Sequence, residues 1–242
     1  MSIQVRRISL APLLKRERKK ARKVAPRSQN PAAQESAAPL KTSASHNTDN
    51  SHAAESSGST SHQLKIFTIG HSTHPIDEFI ALLKTYGIEQ LVDVRTVPKS
   101  RHVPQFNSEA LAEALGKQGI GYVHLKALGG LRHAKKESVN SGWRNASFRG
   151  YADYMSSEEF AKGVDRLIGL AKTNRTVIMC AEAVPWRCHR SLIGDALLAR
   201  GITVEDIMSA TSVRSHKLTE FAKVDGQQIT YPADKNLELF SS

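Results

Sequence analysis

Apolar positions begin to recur in an ordered way only at Lys65. Ile66-Phe67-Thr68-Ile69 is a short β-branched and aromatic run ending in Gly70-His71-Ser72, which predicts a strand. Phe79, Leu82, Leu83 and Tyr86 then recur at helical spacing and Gly87 closes the segment. Thr73 is the expected cap of that helix, Pro75 suits its first turn, and Asp77 and Glu78 complement its dipole. Leu91–Val94 reads as a second strand, and a helix from about Ser108 to Lys117 stops at Gly119. Tyr122–Leu125 reads as a third strand. Ser156 with Glu159 forms a capping box ahead of a helix over Phe160–Lys172. Arg175–Cys180 is the clearest strand, His189–Ala199 a helix that ends at Gly201, and Thr203–Ile207 a fifth strand. Strands that alternate with helices predict an α/β fold: a mainly parallel sheet with helices on both faces. A segment of this length buries a full core.

The pattern is absent before Lys65. Residues 24–62 are rich in Ser, Ala, Asn, Pro and Thr, with one Leu, one Val and no aromatic side chain. Such a segment cannot bury enough apolar surface to offset the ordering of the chain. The sequence therefore divides into a disordered basic tail and linker over 1–62 and a single α/β domain over 63–242. Within the tail, residues 13–23 suit a short basic helix formed on a partner. Of the formal net charge of +11, residues 1–62 supply +7, from eleven basic and four acidic side chains. A basic arm raises the encounter rate with polyanions such as nucleic acid or anionic lipid; it also serves solubility alone.

Two cysteines, Cys180 and Cys188, exclude a disulfide scaffold. Thiols this sparse are reactive, metal-binding or packed in a reducing compartment. No stretch approaches the ~20 apolar residues of a membrane span. The run Ile8–Leu14 is broken by Pro12 and followed by charge, which is not the pattern of a signal peptide. An Arg-rich, acid-poor start also fits an organelle transit peptide, and cytoplasm is the default expectation.

In an open parallel sheet, ligands sit outside the carboxyl ends of the strands, so the residues that follow each strand carry the functional argument. They are Gly70-His71-Ser72 after the first, Asp93, Arg95, Pro98, Ser100 and Arg101 after the second, Leu128-Gly129-Gly130 after the third, and Cys180 to Arg190 after the fourth. The fourth is the sharpest. A thiol ends a buried strand, and a short loop leads to a helix that begins at His189-Arg190. Free N–H groups at a helix start attract anions and favour a thiolate. Arg187 and Arg190 add fixed charge and bidentate donors. Glu182 suits a base or an arginine partner. Three readings stand: a reactive thiol or anion-binding loop, a metal site using Cys180, Cys188, His189 and His71 or Glu182, or packed cysteines beside surface arginines. Asp93 and Arg95 form either one side of an anion pocket or a local pair. A lone histidine such as His71 is more often structural than catalytic.

Residues 126–149 read as a long loop, with Lys126, Arg132, His133, Lys135, Lys136, Arg144 and Arg149 against one acid, Glu137. A loop of roughly 24 residues is often functional or a lid. Trp143 and Phe148 are interleaved with the charge, as in surfaces that stack bases, or else fold back onto the core.

The motifs Thr68-Ile69-Gly70-His71-Ser72, Asp93-Val94-Arg95 with Pro98, Ser100 and Phe106, Leu128-Gly129-Gly130, Phe148–Met155, and Cys180-Ala181-Glu182 with Cys188-His189-Arg190 together resemble one family, called domain of unknown function 488. The resemblance runs from about Ile66 to Ile207 and implies no activity, beyond loose DNA-repair labels. A more distant likeness is to rhodanese-like domains and cysteine phosphatases, which share an Asp-x-Arg strand end and a strand–Cys–loop–Arg–helix anion cradle. Six residues separate Cys180 from Arg187, and Glu182 and a second cysteine intervene before Arg190, which departs from that pattern.

The first expectation is a cysteine-dependent transferase or hydrolase acting on an anionic or phosphate-bearing molecule. Its catalytic residues would be Cys180, Cys188, Glu182 and His189. Its anion-binding residues would be Arg95, Arg187, Arg190, Asp93, His71 and Ser72. The alternative is a nucleic-acid-associated module, in which the tail and the 126–149 loop bind phosphates and the Cys loop is structural or holds a metal. Both leave the cofactor and the oligomeric state unassigned.

Overall fold

The computed structural model describes residues 63–233; the expected disordered tail over 1–62 lies outside the described residues. Five strands run parallel: β1 (Lys65–Gly70), β2 (Gln90–Asp93), β3 (Gly121–His124), β4 (Thr176–Cys180) and β5 (Thr203–Ser209). A sixth, β6 (Ser212–Ser215), pairs antiparallel with β5 and closes one edge. The order across the sheet is β3-β2-β4-β1-β5-β6.

Alternation along the strands sorts the core onto two faces. Phe67, Ile69, Val177 and Met179 point to one side, where they pack on Phe79 and Leu83 of α1 (Ile76–Thr85) and Leu111 and Leu115 of α2 (Ser108–Gly116). Ile66, Ile178 and Cys180 point to the other. There they meet Tyr151 of α3 (Ala146–Tyr154), Val164 and Leu167 of α4 (Glu158–Ala171), and Leu192 and Ile193 of α5 (Arg190–Leu198). The parallel sheet with helices on both faces is therefore present as expected. Among the described residues no helix is long and apolar enough to cross a membrane.

Several local expectations are corrected. Pro75 itself precedes the first turn of α1, and no side chain caps it, so Thr73 does not serve. The cap of α4 is Ser157, whose Oγ accepts from the Phe160 N–H at 3.2 Å. Ser156 instead donates to the Asp153 carbonyl. The segment read as one long loop, 126–149, ends in the first turn of α3, capped by Asn145, whose Oδ1 accepts from the N–H groups of Ser147 and Phe148. A hairpin of β7 (Lys223–Asp225) and β8 (Gln228–Thr230) follows the sheet and was not foreseen.

Register places the candidate site. Gly70 lies beside Cys180, and Asp93 beside both Met179 and His124. The carboxyl ends of β1, β4, β2 and β3 thus meet in the middle of one sheet edge. The Cys180 loop folds tightly over β1: a Cβ at Gly70 would stand 1.8 Å from the Glu182 carbonyl oxygen. The N–H groups of His71 and Ser72 donate to the carbonyls of Cys180 and Ala181, both at 2.9 Å.

A candidate thiol site at the end of the central strand

The loop that leaves β4 makes one turn of 3₁₀ helix at Pro185–Arg187 and then enters α5. This return brings Cys188 back to Cys180. Both cysteines are free and buried, with 3% of Cys188 and 8% of Cys180 exposed. Between them stands His189, with Nδ1 at 3.7 Å from Cys188 Sγ and 4.0 Å from Cys180 Sγ. The other ring nitrogen, Nε2, lies 2.9 Å from the Val94 carbonyl oxygen. A carbonyl only accepts, so Nε2 donates to it, and that bond turns Nδ1 toward the two sulfurs.

Arg190 approaches from below. It is 1% exposed, and its Nε donates to Cys188 Sγ at 3.4 Å. One Nη donates to the Glu182 carbonyl at 2.6 Å and the other to Thr68 Oγ1 at 3.5 Å. None of the ion pairs among the described residues includes Arg190. An unpaired buried guanidinium is expensive, and the sulfur of Cys188 is the anion-capable atom in its reach. The Cys188 thiol is accordingly held well below the usual thiol range. The hydrogen bond from the Cys180 thiol contributes most; burial opposes it, and His189 and Arg190 add to it. Cys180 moves the opposite way, raised by acting as that donor and by burial. The two thiols are thus shifted in opposite directions.

These groups open on a cavity of ≈ 390 Å³ lined by Cys180, Cys188, His189, Glu182, Arg187 and Arg95, with Phe148 and Leu131 on its far wall. Arg187 and Glu182 are exposed at its rim. Six of the ten expected site residues therefore line one space. The other four act from outside it. Arg190 supports the thiolate from beneath. Asp93, fully buried, is engaged by Arg95 through Nε at 2.9 Å and an Nη at 2.5 Å, and by the Tyr122 hydroxyl at 2.9 Å. His71 donates from Nδ1 to the Ser72 carbonyl, accepts from Arg95 at Nε2, and stacks on Phe106 with centroids 4.2 Å apart. Burial pushes its pKa down to about 4, so it is neutral. Asp93 and His71 thus neutralise and brace Arg95 instead of facing a ligand. Ser72 takes a left-handed backbone, φ 45°, at the turn that carries the Cys180 loop.

The sequence reading missed Thr68, Tyr122 and Gly130. Thr68 looked like one more strand residue, and no local signal marks its side chain as the support under Arg190. Gly130 was noted only as part of a Gly pair. A Cβ there would meet His189 Nδ1 at 2.5 Å, so its lack of a side chain leaves room for the imidazole. Trp143, considered for base stacking, packs against Phe148, Phe221 and Tyr231.

The family model described as "Domain of unknown function DUF488" matches residues 75–197, just over half of the chain. The match begins after the Thr68–Ser72 motif and ends before β5. No curated protein and no solved structure matches, so the likeness to rhodanese-like domains and cysteine phosphatases gains no support. The geometry departs from that likeness too: the buried Arg190 Nε donates to the second cysteine, Cys188, and not to the cysteine directly after the strand.

Proposed function

The chain belongs to the DUF488 family of domains of unknown function, and from that premise we propose that it is a cysteine-dependent enzyme acting on a small anionic substrate in the Cys180–Arg190 cavity. Cys188 is the nucleophile, kept as thiolate by Arg190, the Cys180 thiol and the start of α5. His189 moves a proton at Nδ1. Arg187 attracts the anion at the rim, with Glu182 beside it. The observation that carries this reading is the contact between the buried Arg190 Nε and Cys188 Sγ. The proposed division of the chain, a basic tail over 1–62 ahead of one domain over 63–242, rests on composition, and the proposed setting is a reducing cytoplasm.

The test is an iodoacetamide time course read by peptide mass spectrometry near pH 6, with and without inorganic phosphate and a chelator. Cys188 should be modified well before Cys180, and phosphate should slow it. Two inert cysteines under every condition would remove the thiol enzyme.

One observation favours a second reading. The donor atoms of Cys180, Cys188 and His189 all lie within 4.8 Å of one another, and the Val94 carbonyl orients His189 so that Nδ1 faces the sulfurs, as outer partners of metal-binding histidines do. A Cys₂His set with a fourth position open to the cavity suits a catalytic zinc. Protection of both thiols until chelator is added, with zinc in elemental analysis, would select it. The nucleic-acid alternative draws on the exposed Lys126, Lys135, Lys136 and Arg144. Salt-dependent retention on DNA or RNA, with and without residues 1–62, measures it.

A further inference from the structure

We infer that Cys188 and Cys180 work as a dithiol–disulfide couple, with Cys188 attacking and Cys180 resolving, and that the substrate class is a small anionic disulfide. This rests on the thiolate reading above and names its chemistry.

The two sulfurs lie within 4.8 Å of one another and face the same cavity. A nucleophile that only forms a covalent intermediate has no need of a second thiol at this distance. Cys180 sits on a fixed strand end, whereas Cys188 is carried by the loop between β4 and α5 and its 3₁₀ turn. Closure therefore asks for movement of the loop and not of the sheet. His189 Nδ1 is in reach of both sulfurs, so the base that takes the Cys180 proton stands beside the bond that Cys180 must form.

The chemistry balances without another reagent. The Cys188 thiolate attacks one sulfur of the substrate R–S–S–R. A Cys188–S–S–R bond forms and R–S⁻ leaves. The Cys180 thiol passes its proton to His189 Nδ1, and the freed sulfur attacks Cys188 Sγ. The Cys180–Cys188 bond forms, and the second R–S⁻ takes the proton from His189. Two electrons move from the dithiol to the substrate. One product leaves as a thiol carrying the proton of Cys180, the other as a thiolate carrying the charge of Cys188.

Charge sets the direction of the couple. The reduced pair gives Arg190 an anion to face, and the disulfide removes it, leaving the guanidinium with the Glu182 carbonyl and Thr68. Stabilising the reduced form makes a disulfide oxidising. The internal disulfide should therefore be short-lived, readily reset by a small thiol, and should not accumulate as a structural bond.

The experiment treats the reduced full chain with oxidised glutathione and follows intact mass and peptide maps. The native chain should lose two hydrogens, through a Cys180–Cys188 disulfide that dithiothreitol reverses. Cys180→Ser should instead stop with one glutathionyl group on Cys188, and Cys188→Ser should take none. A native chain that stops at a glutathionyl adduct on Cys188, or takes one on each cysteine, overturns the couple while the nucleophile stands. A chain that reacts neither with oxidised glutathione nor with iodoacetamide overturns both. Reaction that starts only after a chelator is added overturns the couple in favour of bound metal. Far-ultraviolet circular dichroism on both variants separates a lost thiol from a lost fold.

Discussion

Arg190 is the largest of the fully buried side chains among the described residues, and the chemistry of the site depends on what it faces. Arginine and lysine differ here: the planar guanidinium reaches Cys188, Glu182 and Thr68 at once, while an ammonium on a flexible stem cannot hold the same three directions. Arg190→Lys should leave a positive charge in the interior yet weaken the Nε contact. A loss of about one pKa unit of stabilisation, ~1.4 kcal/mol, would move the midpoint of the Cys188 labelling profile up by about one pH unit and leave the rate well above that midpoint unchanged. The alkylation rate measured from pH 4 to 9 reads this directly, and an unmoved profile would mean that Arg190 is structural. The same residue shows what was legible in the sequence. Cys180, Glu182, Arg187, Cys188 and His189 were read as one cluster because they lie on one short loop, and five such neighbours can hardly avoid meeting. Asp93, His71 and Arg95 were read as facing the ligand. Sequence shows that charges converge at a sheet edge but not which way each turns, and here Asp93 and His71 spend their hydrogen bonds on Arg95 and its own loop.

At the scale of elements, the strands were legible because a buried parallel strand is a run of β-branched and apolar residues with little else in it, as in Thr176–Cys180. Helix α4 was legible by its apolar spacing, but its cap was assigned one residue early. Ser156 and Ser157 are adjacent and either suits a cap; the backbone decides, since Ser157 has the extended conformation, φ −82° and ψ 150°, that turns its Oγ toward the Phe160 N–H. Ser157→Ala should cost about 1 kcal/mol, which for a domain of this size lowers the thermal midpoint by roughly 2–4 °C. Ser156→Ala, which removes a bond from the solvent side of the preceding turn, should cost less. A calorimetric scan in which the Ser156 variant falls further would reverse the cap assignment. Helix α3 was missed because its nine residues, Ala146–Tyr154, mix Ser, Arg, Gly and Asp with the aromatics that anchor it. The β7–β8 hairpin was missed for a related reason: of its strand residues only Ile229 is buried.

Across the whole molecule, the chain after β6 is tied back to the helix that carries the site, and one histidine makes the knot. His216 follows β6 and lies between two carboxylates, with Nε2 3.1 Å from Asp195 of α5 and Nδ1 3.3 Å from Asp206 of β5. Asp195 also accepts from the Thr219 N–H and hydroxyl and from the Tyr231 hydroxyl. Asp206 accepts from Thr68, which in turn contacts Arg190. Burial alone would lower the pKa of His216, but the hydrogen bonds to Asp195 and Asp206 outweigh it and raise it from 6.5 to about 9. A folded-state pKa above the unfolded value means that protonation stabilises the fold. That contribution is fully present below pH 6.5 and is lost as the pH rises through about 9. Its size follows from the shift, about 3 kcal/mol, at a side chain only 8% exposed. Other groups titrate in the same window, the cysteine pair among them, so the difference between the native chain and His216→Gln isolates the term. Urea unfolding of both at pH 6 and at pH 10 should show a gap at pH 6 that closes by most of its value at pH 10. A gap of equal size at both would mean that His216 is neutral in the fold, and that its bonds to Asp195 and Asp206 do not depend on its charge.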